Sequence, residues 1–496
     1  MNSWLMTFYR WKAIRRTGVI WLVLLTGCPA VGPDYRSPQP EMPAAWQGSI
    51  ALSTFGAGYA SGRWWTLFRD PLLDSLVMRA SAANLDLQRA AARIREARAE
   101  RVIAGATGSI FGSAEASHSR RSENVSSTGS NRNLFQIGFD AAWEIDIFGG
   151  VRRSVESADA ALAATEEDLR AVLVTLQAEV ARNYLELRGS EKRLATTRKN
   201  IATQERTVEV VRGRYEMGLG NELDLVQAET QLALTRATVP ALEAAARQSM
   251  YQLALLLGGH PGSLTAELSR EAAIPLAPDG IPVDLPSELM RQRPDIRAAE
   301  RRLAAATADI GVATAELFPR FSLPAAIGLQ STSLGDLISK SSRFWAAGPV
   351  IDLALFDQGR RRAGVEISEA RRDAAIAEYQ QSVLAAFAEV EIGLAAFVKE
   401  QETRRILMEA VDSSERAVAM ATGLFESGLT DFLNVLQSER ALYQSEDQLA
   451  QSEQRLNLAL VAIFKALGGG WRDGLEQGVA AGGNVQETET DTSAVD

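Results

Sequence analysis

The sequence predicts a mainly α chain with a β-barrel contribution, internally duplicated. Each half carries one long α-helical hairpin, and the two halves together carry four strands of membrane-crossing length. Three observations predict this. Tyr215-Glu216-Met217-Gly218-Leu219 returns 210 residues later as Phe425-Glu426-Ser427-Gly428-Leu429. Long proline-free runs carry apolar residues at seven-residue spacing, the mark of packed helices. Between the helical runs, apolar and polar residues alternate with period two, as in half-buried strands.

The amino-terminal segment is read first. Arg10, Lys12, Arg15 and Arg16 precede the apolar run Val19–Leu25. That run is shorter than the roughly 20 apolar residues that span a bilayer, so residues 1–27 read as a secretory signal peptide. The run ends in Leu25-Thr26-Gly27-Cys28, and Cys28 is the one cysteine among 496 residues. This resembles a bacterial lipobox, in which the thiol is the nucleophile that takes a thioether-linked lipid. Each buried methylene of such a lipid contributes roughly 0.8 kcal/mol. The competing reading is a buried cysteine beside an unrelated apolar run. Removal of residues 1–27 takes away four positive charges and no negative ones, leaving about −14 from a starting net charge of −10.

Composition excludes several function classes. One cysteine forbids an internal disulfide and every multi-cysteine metal site. Two histidines, His118 and His260, offer little imidazole chemistry. Negative net charge argues against nucleic acid as a partner. No nucleophile–base pair stands out, so the sequence predicts no enzyme and no cofactor beyond a covalent lipid on Cys28. Beyond residue 27 no apolar run reaches about 18 residues, so no transmembrane helix is expected and any membrane crossing falls to a barrel.

After the signal, residues 28–62 read as lipid anchor and extended linker, rich in proline and glycine. Residues 63–259 form a first repeat and residues 287–469 a second. Residues 260–286 connect them, and residues 470–496 form a flexible acidic tail. Each repeat starts with a helix rich in good helix formers, about 71–106 and 285–317. Two strands follow in each. Phe135–Ile147 alternates cleanly, as does Phe321–Gln330, whereas Ile110–Ala116 is weak and Trp345–Phe356 is interrupted by Pro349. Pro324 inside a strand removes one ladder donor. Four strands cannot close a barrel, since single-chain barrels begin at about eight, so the chain must oligomerise; three copies would give about twelve.

Each repeat then becomes a long helix, starting near Val151 in the first. Leu162, Leu169 and Leu176 form one heptad series, and Leu187, Leu194, Ile201, Val208 and Tyr215 another. In the second repeat Ile376, Val383, Val390 and Phe397 continue as Val411, Val418 and Phe425, with Arg404 breaking the seam. Gly218-Leu219 and Gly428-Leu429 stop these helices. Asn221 and Asp431 then cap the return helices 222–257 and 432–467.

Several stretches resemble the outer membrane factor (TolC-like) family, in its efflux lipoprotein branch serving RND-type pumps (NodT-like). They are "GCPAVGPDYRSP", "WWTLFRDPLLDSLVMRASAANLDLQRAAARI", "RQRPDIRAAERRLAAATADIGVATAELFPRFSL", "FDQGRRRA" and the paired "YEMGLGNELDLVQAETQL" and "FESGLTDFLNVLQSERAL". The resemblance covers almost the whole chain after Cys28. It implies a homotrimer with a twelve-stranded outer-membrane barrel above a periplasmic α-helical barrel, closed at its lower end. It implies passive export of small toxic compounds, fed by a periplasmic adaptor (membrane fusion protein) and an inner-membrane pump. It also implies contact with outer-membrane lipid.

Candidate site residues follow from the turns. Asp224 and Asp431 are the nearest acids to the aperture that three copies would ring, and such carboxylates would focus the field for cations. Asn434 and Gln437 stand where relatives often carry aspartate. Asp431 as a cap and Asp224 as a first-turn acid favoured by the helix dipole explain the same residues structurally. Gly218, Leu219, Gly428 and Leu429 resemble the tip motif that meets the adaptor. A lipid-anchored coiled-coil scaffold or adhesin without a channel is the alternative function. It would have no use for amphipathic hairpins interrupting its helices.

Overall fold

The computed structural model describes residues 30–38, 46, 62–122, 132–269, 272–278 and 292–471. Cys28, the signal segment and the acidic tail lie outside these residues. The main elements are helices α1 (Pro71–Ala83), α2 (Leu85–Ala106), α3 (Gly150–Glu216), α4 (Glu222–Leu256), α5 (Pro294–Ala315), α6 (Arg360–Glu426) and α7 (Phe432–Ala466). The strands are β1 (Phe111–Arg121), β2 (Arg132–Ile145), β3 (Arg320–Ser331), β4 (Arg343–Ala347) and β5 (Val350–Asp352). Two compact units are distinguished. One holds residues up to 39, 92–166 and 298–380; the other holds 40–91, 167–297 and the chain from 381.

The first unit carries an antiparallel sheet in the order β1-β2-β3-β4, with β5 also paired to β3. It is open and does not close on itself. The four expected strands become five because the last one breaks at Gly348-Pro349. The register of β4 and β5 on β3 is nonetheless continuous, so the break faces Leu323-Pro324. Gly348 N–H donates to the Pro324 carbonyl at 3.3 Å. The nitrogen of Pro324 therefore points to the same side, and its missing N–H falls at the gap rather than in the β2 ladder. β1 and β2 run further into the expected polar loop than alternation indicated, to Arg121 and from Arg132.

Register sorts the sheet into two faces. Phe135, Ile137, Phe139, Trp143 and Ile145 of β2 align with Phe321, Leu323, Ile327 and Leu329 of β3 and with Trp345 of β4. Phe139 is 69% exposed, Ile327 63% and Trp345 78%, so this apolar face is uncovered in the single chain. The other face carries Glu115, Gln136, Asp140, Glu144 and Gln330 with small residues between them. Gly138 and Gly328 lie directly opposite each other there. A Cβ on Gly328 would sit 2.4 Å from the Ile137 carbonyl oxygen, so only glycine fits.

In the same unit, residues 30–38 bend at Val31-Gly32 and are not free. Val31 N–H donates to the Phe148 carbonyl at 3.0 Å. The buried Arg153 guanidinium donates to the Val31 and Gly32 carbonyls at 3.1 and 3.4 Å and to Asp34 at 2.7 Å. Tyr35 and Ser37 hydroxyls both donate to Glu300 Oε1, at 2.9 and 2.7 Å. Burial and the Glu300 carboxylate push the Tyr35 phenol up to about 12. Burial alone would raise Glu300, but the Ser37 and Tyr35 hydroxyls and Arg301 outweigh it and hold its carboxyl below the ordinary range. The Pro- and Gly-rich stretch thus begins as a docked strap.

The second unit is helical. The expected helix 71–106 is broken at Asn84, where the backbone turns extended. The Asn84 side chain accepts from the N–H groups of Asp86 and Leu87 at 2.8 and 3.2 Å, capping α2, and donates to the Leu256 carbonyl at 2.9 Å. The helix expected over 285–317 starts at Pro294, in the first-turn position proline favours; residues 285–291 lie outside the described residues. α3 and α6 have 67 residues each, about 100 Å of helix at 1.5 Å per residue. α6 also contains a stretch apolar and long enough to cross a membrane, contrary to expectation. Only 33% of that stretch is buried, and Leu384 and Ile392 of the same helix are exposed, whereas Val383, Ala386, Val390, Leu394 and Phe397 turn inward. They are buried at helical spacing in the core of this unit, and Glu389 nearby pairs with Arg293 at 2.7 Å.

Candidate gating site at the hairpin tips

Both hairpin tips lie in the second unit, and the duplication is exact in their backbone bonding. At the first tip Gly218 has φ 72°, Gly218 N–H donates to Tyr215 at 2.9 Å and Leu219 N–H reaches back to Arg214 at 2.8 Å. At the second, Gly428 has φ 73°, its N–H donates to Phe425 at 3.0 Å and Leu429 N–H reaches Leu424 at 2.8 Å. These are Schellman closures, which need a left-handed residue. Open space surrounds both glycines, so the requirement comes from the backbone angle rather than from packing. Leu219 and Leu429 are 67% and 75% exposed, so each turn presents an apolar side chain outward.

The two return helices start differently. Asn221 caps α4, its side chain accepting the Asp224 N–H at 2.8 Å. Asp431 occupies the matching position on α7, but its carboxylate accepts no capping hydrogen bond. Instead its backbone carbonyl accepts from Asn434 N–H at 3.1 Å, and the Asn434 amide donates to Thr430 at 2.7 Å. Asp431, Asn434 and Gln437 are all exposed, and Asp224 is half-buried. The second tip therefore groups one carboxylate and two amides on the face of α7 away from its core residues Phe432, Val435 and Leu436. Within the single chain, Asp224 stays on the first tip and the other three on the second.

A cluster of Val208, Val211, Ala228, Leu232, Ala421, Phe432, Val435 and Leu436 packs the tips together. Arg214 joins the two turns. Its guanidinium lies 4.7 Å from the centre of the Phe425 ring and donates to the Phe425 carbonyl at 3.4 Å. Sequence reasoning missed this residue, and the repeat held the one signal. Arg214 has Leu424 as its counterpart, so the cation exists in one half only.

Above the tips, three ion pairs lace α3 to α4 at seven-residue steps: Arg212–Glu229 at 2.7 Å, Glu205–Arg236 at 2.5 Å and Arg198–Glu243 at 3.1 Å. α3 meets α7 through a different ladder. Glu453, Glu446 and Glu439, seven residues apart on α7, face Lys192, Asn200 and Thr207 of α3. Arg404, which breaks the heptad seam of α6, approaches Glu453 at 3.6 Å, so the break is a charge partner. Lys199 adds a 3.0 Å contact to Glu446. Asp447 pairs with Arg193 at 2.7 Å beside them.

Comparison with known proteins then places the chain. The Outer membrane efflux protein family profile matches residues 76–259 and 285–469. Outer membrane protein OprJ of Pseudomonas aeruginosa is 34% identical over 474 residues, covering 93% of this chain and 97% of its own. Toluene efflux pump outer membrane protein TtgI of Pseudomonas putida is 31% identical over 459 residues, covering 91% and 97%. The solved outer-membrane channel OprN superposes with a TM-score of 0.84 at 38% identity, over 89% of this chain and 99% of that one. The chain belongs to the outer membrane efflux protein family.

Proposed function

We propose that this chain is the outer-membrane channel component of a tripartite RND-type efflux system, a passive homotrimeric duct for small toxic compounds. A periplasmic adaptor and an inner-membrane pump deliver the cargo. The observation that carries the reading is the open sheet, whose apolar face is uncovered and whose edges at β1 and at β4–β5 are free among the described residues. Such edges are satisfied in a membrane only when other copies complete the barrel. A scaffold without a channel leaves that face unexplained. The relative named for toluene efflux supports small apolar compounds as a cargo class.

In this reading Asp224 and Asp431 face the closed aperture with Asn434 and Gln437 beside them, and Gly218-Leu219 and Gly428-Leu429 meet the adaptor. The uncapped carboxylate of Asp431 supports an aperture role over a purely structural one. The purified trimer is expected to conduct weakly in planar bilayers, and Asp431→Ala or Asp224→Ala to lower cation preference and raise conductance severalfold. Monomeric protein without conductance would overturn the duct.

Cys28 carries the lipid in the same reading, giving the trimer a second anchor besides its barrel. Lipid labelling of the expressed chain is expected to vanish in Cys28→Ser. Labelling that persists removes the lipobox reading and leaves the duct untouched.

A further inference from the structure

The ladder between α3 and α7 loses its cations toward the tip. Glu453 has Lys192 and Arg404, and Glu446 has Lys199 and the Asn200 amide. Among the described residues Glu439, the last rung, is met only by the Thr207 hydroxyl, at 2.7 Å. Yet Glu439 is 94% buried, being 6% exposed. Its repeat counterpart Glu229 lies on the surface and pairs with Arg212. One sequence position has thus become an ordinary surface ion pair in the first half and an uncompensated buried acid in the second. Burial, only partly offset by the Thr207 hydrogen bond, pushes the Glu439 carboxyl up.

Glu439 also lines a cavity of about 330 Å³ between α3, α6 and α7. Its walls are apolar and aromatic, formed by Val211, Val418, Phe425 and Phe432, with the Thr203 and Thr422 side chains among them. Arg206 and Glu426 also border it, and the Arg206 Nε–H is directed to the Ala202 carbonyl at 3.2 Å. A buried carboxylate costs stability unless a cation or several donors meet it. Here one donor does, and the remaining acceptor capacity borders an apolar space large enough for a one-ring molecule. Phe425 forms one aromatic wall, and an aromatic face is a surface on which an ammonium group can rest.

We propose that this cavity is a binding site for a small organic cation, an ammonium group on an apolar or aromatic body, with Glu439 as its counter-ion. The ammonium meets the carboxylate and the Thr207 hydroxyl, and the body fills the space beside Phe425 and Val418. An occupant would touch all three helices next to the tip, at a place distinct from the aperture residues. The inference concerns binding alone and stands whether or not the trimer conducts.

The test uses full-length protein in detergent, with 2-phenylethylamine as probe and 2-phenylethanol as its uncharged counterpart, followed by ligand-observed NMR titration. Glu439→Gln keeps the size and the acceptor for Thr207, so its fold is checked by trimer elution and thermal transition. The amine is expected to bind the unaltered protein and to weaken about tenfold or more in Glu439→Gln. The alcohol is expected to change less than about twofold. Val418→Phe, which fills the cavity and leaves the carboxylate in place, is expected to abolish amine binding. An amine affinity unchanged in either variant, or no specific binding to the unaltered protein, overturns the proposal.

Discussion

Glu300 holds the strap by accepting two hydroxyls on one oxygen while Arg301 neutralises it. Its carboxyl titrates below the ordinary 4.5, so the folded state binds that proton less well than the unfolded chain does. The stabilisation is therefore complete above about 4.5 and is lost as pH falls through the lower folded value. Limited proteolysis of the strap is expected to accelerate on acidification below that range. In Glu300→Gln cleavage is expected to be fast at neutral pH and flat with acidification. Tyr35 titrates far above this window, at about 12, and adds no sensitivity there.

Among the helices, the two seven-residue ladders look alike on paper and differ in value. The α3–α4 pairs are exposed, with side chains 41–56% accessible, and each contributes about 0–1 kcal/mol. Glu453 is 8% accessible and answers two cations from two helices. Glu453→Gln is expected to cost about 1.5–3 kcal/mol, read as a lowered thermal transition of the trimer, while Glu243→Gln leaves it nearly unchanged. The heptads, glycine stops and repeat register were legible because helix period and turn chemistry are local. The break at Asn84 was overlooked although its cap on Asp86 and Leu87 is local; only its bond to the Leu256 carbonyl, 172 residues away, required the fold. The unlike fates of Glu229 and Glu439 were equally hidden. Identical positions in a duplicated chain acquire different neighbours once the halves pack on each other. At the tips, sequence gave the turns and the Asn221 cap, but the bare carboxylate of Asp431 and the reach of Arg214 to Phe425 required the fold.

For the whole molecule, the sheet is the part that one chain leaves unfinished. Ile327 sits mid-strand on its apolar face, 63% exposed. A lysine there should cost about 2–4 kcal/mol if the face meets lipid, and little if it meets water. Ile327→Lys is accordingly expected to reduce assembled trimer in outer-membrane fractions, whereas Gln330→Lys on the opposite face is tolerated.

The strap also orders events in time. Its partners lie far along the chain, 119 residues on for Asp34 with Arg153, and 263 and 265 for Ser37 and Tyr35 with Glu300. Contacts of such separation form late, because loop closure precedes any gain from them. A chain emerging amino-terminus first thus exposes these residues well before their seat on α3 and α5 exists. Among the first described residues to be synthesised are some of the last to settle. An interrupted chain ending before Glu300 can dock Asp34 on Arg153 but can never fasten Tyr35 and Ser37, which makes the fully docked strap a physical record that synthesis has entered the second repeat.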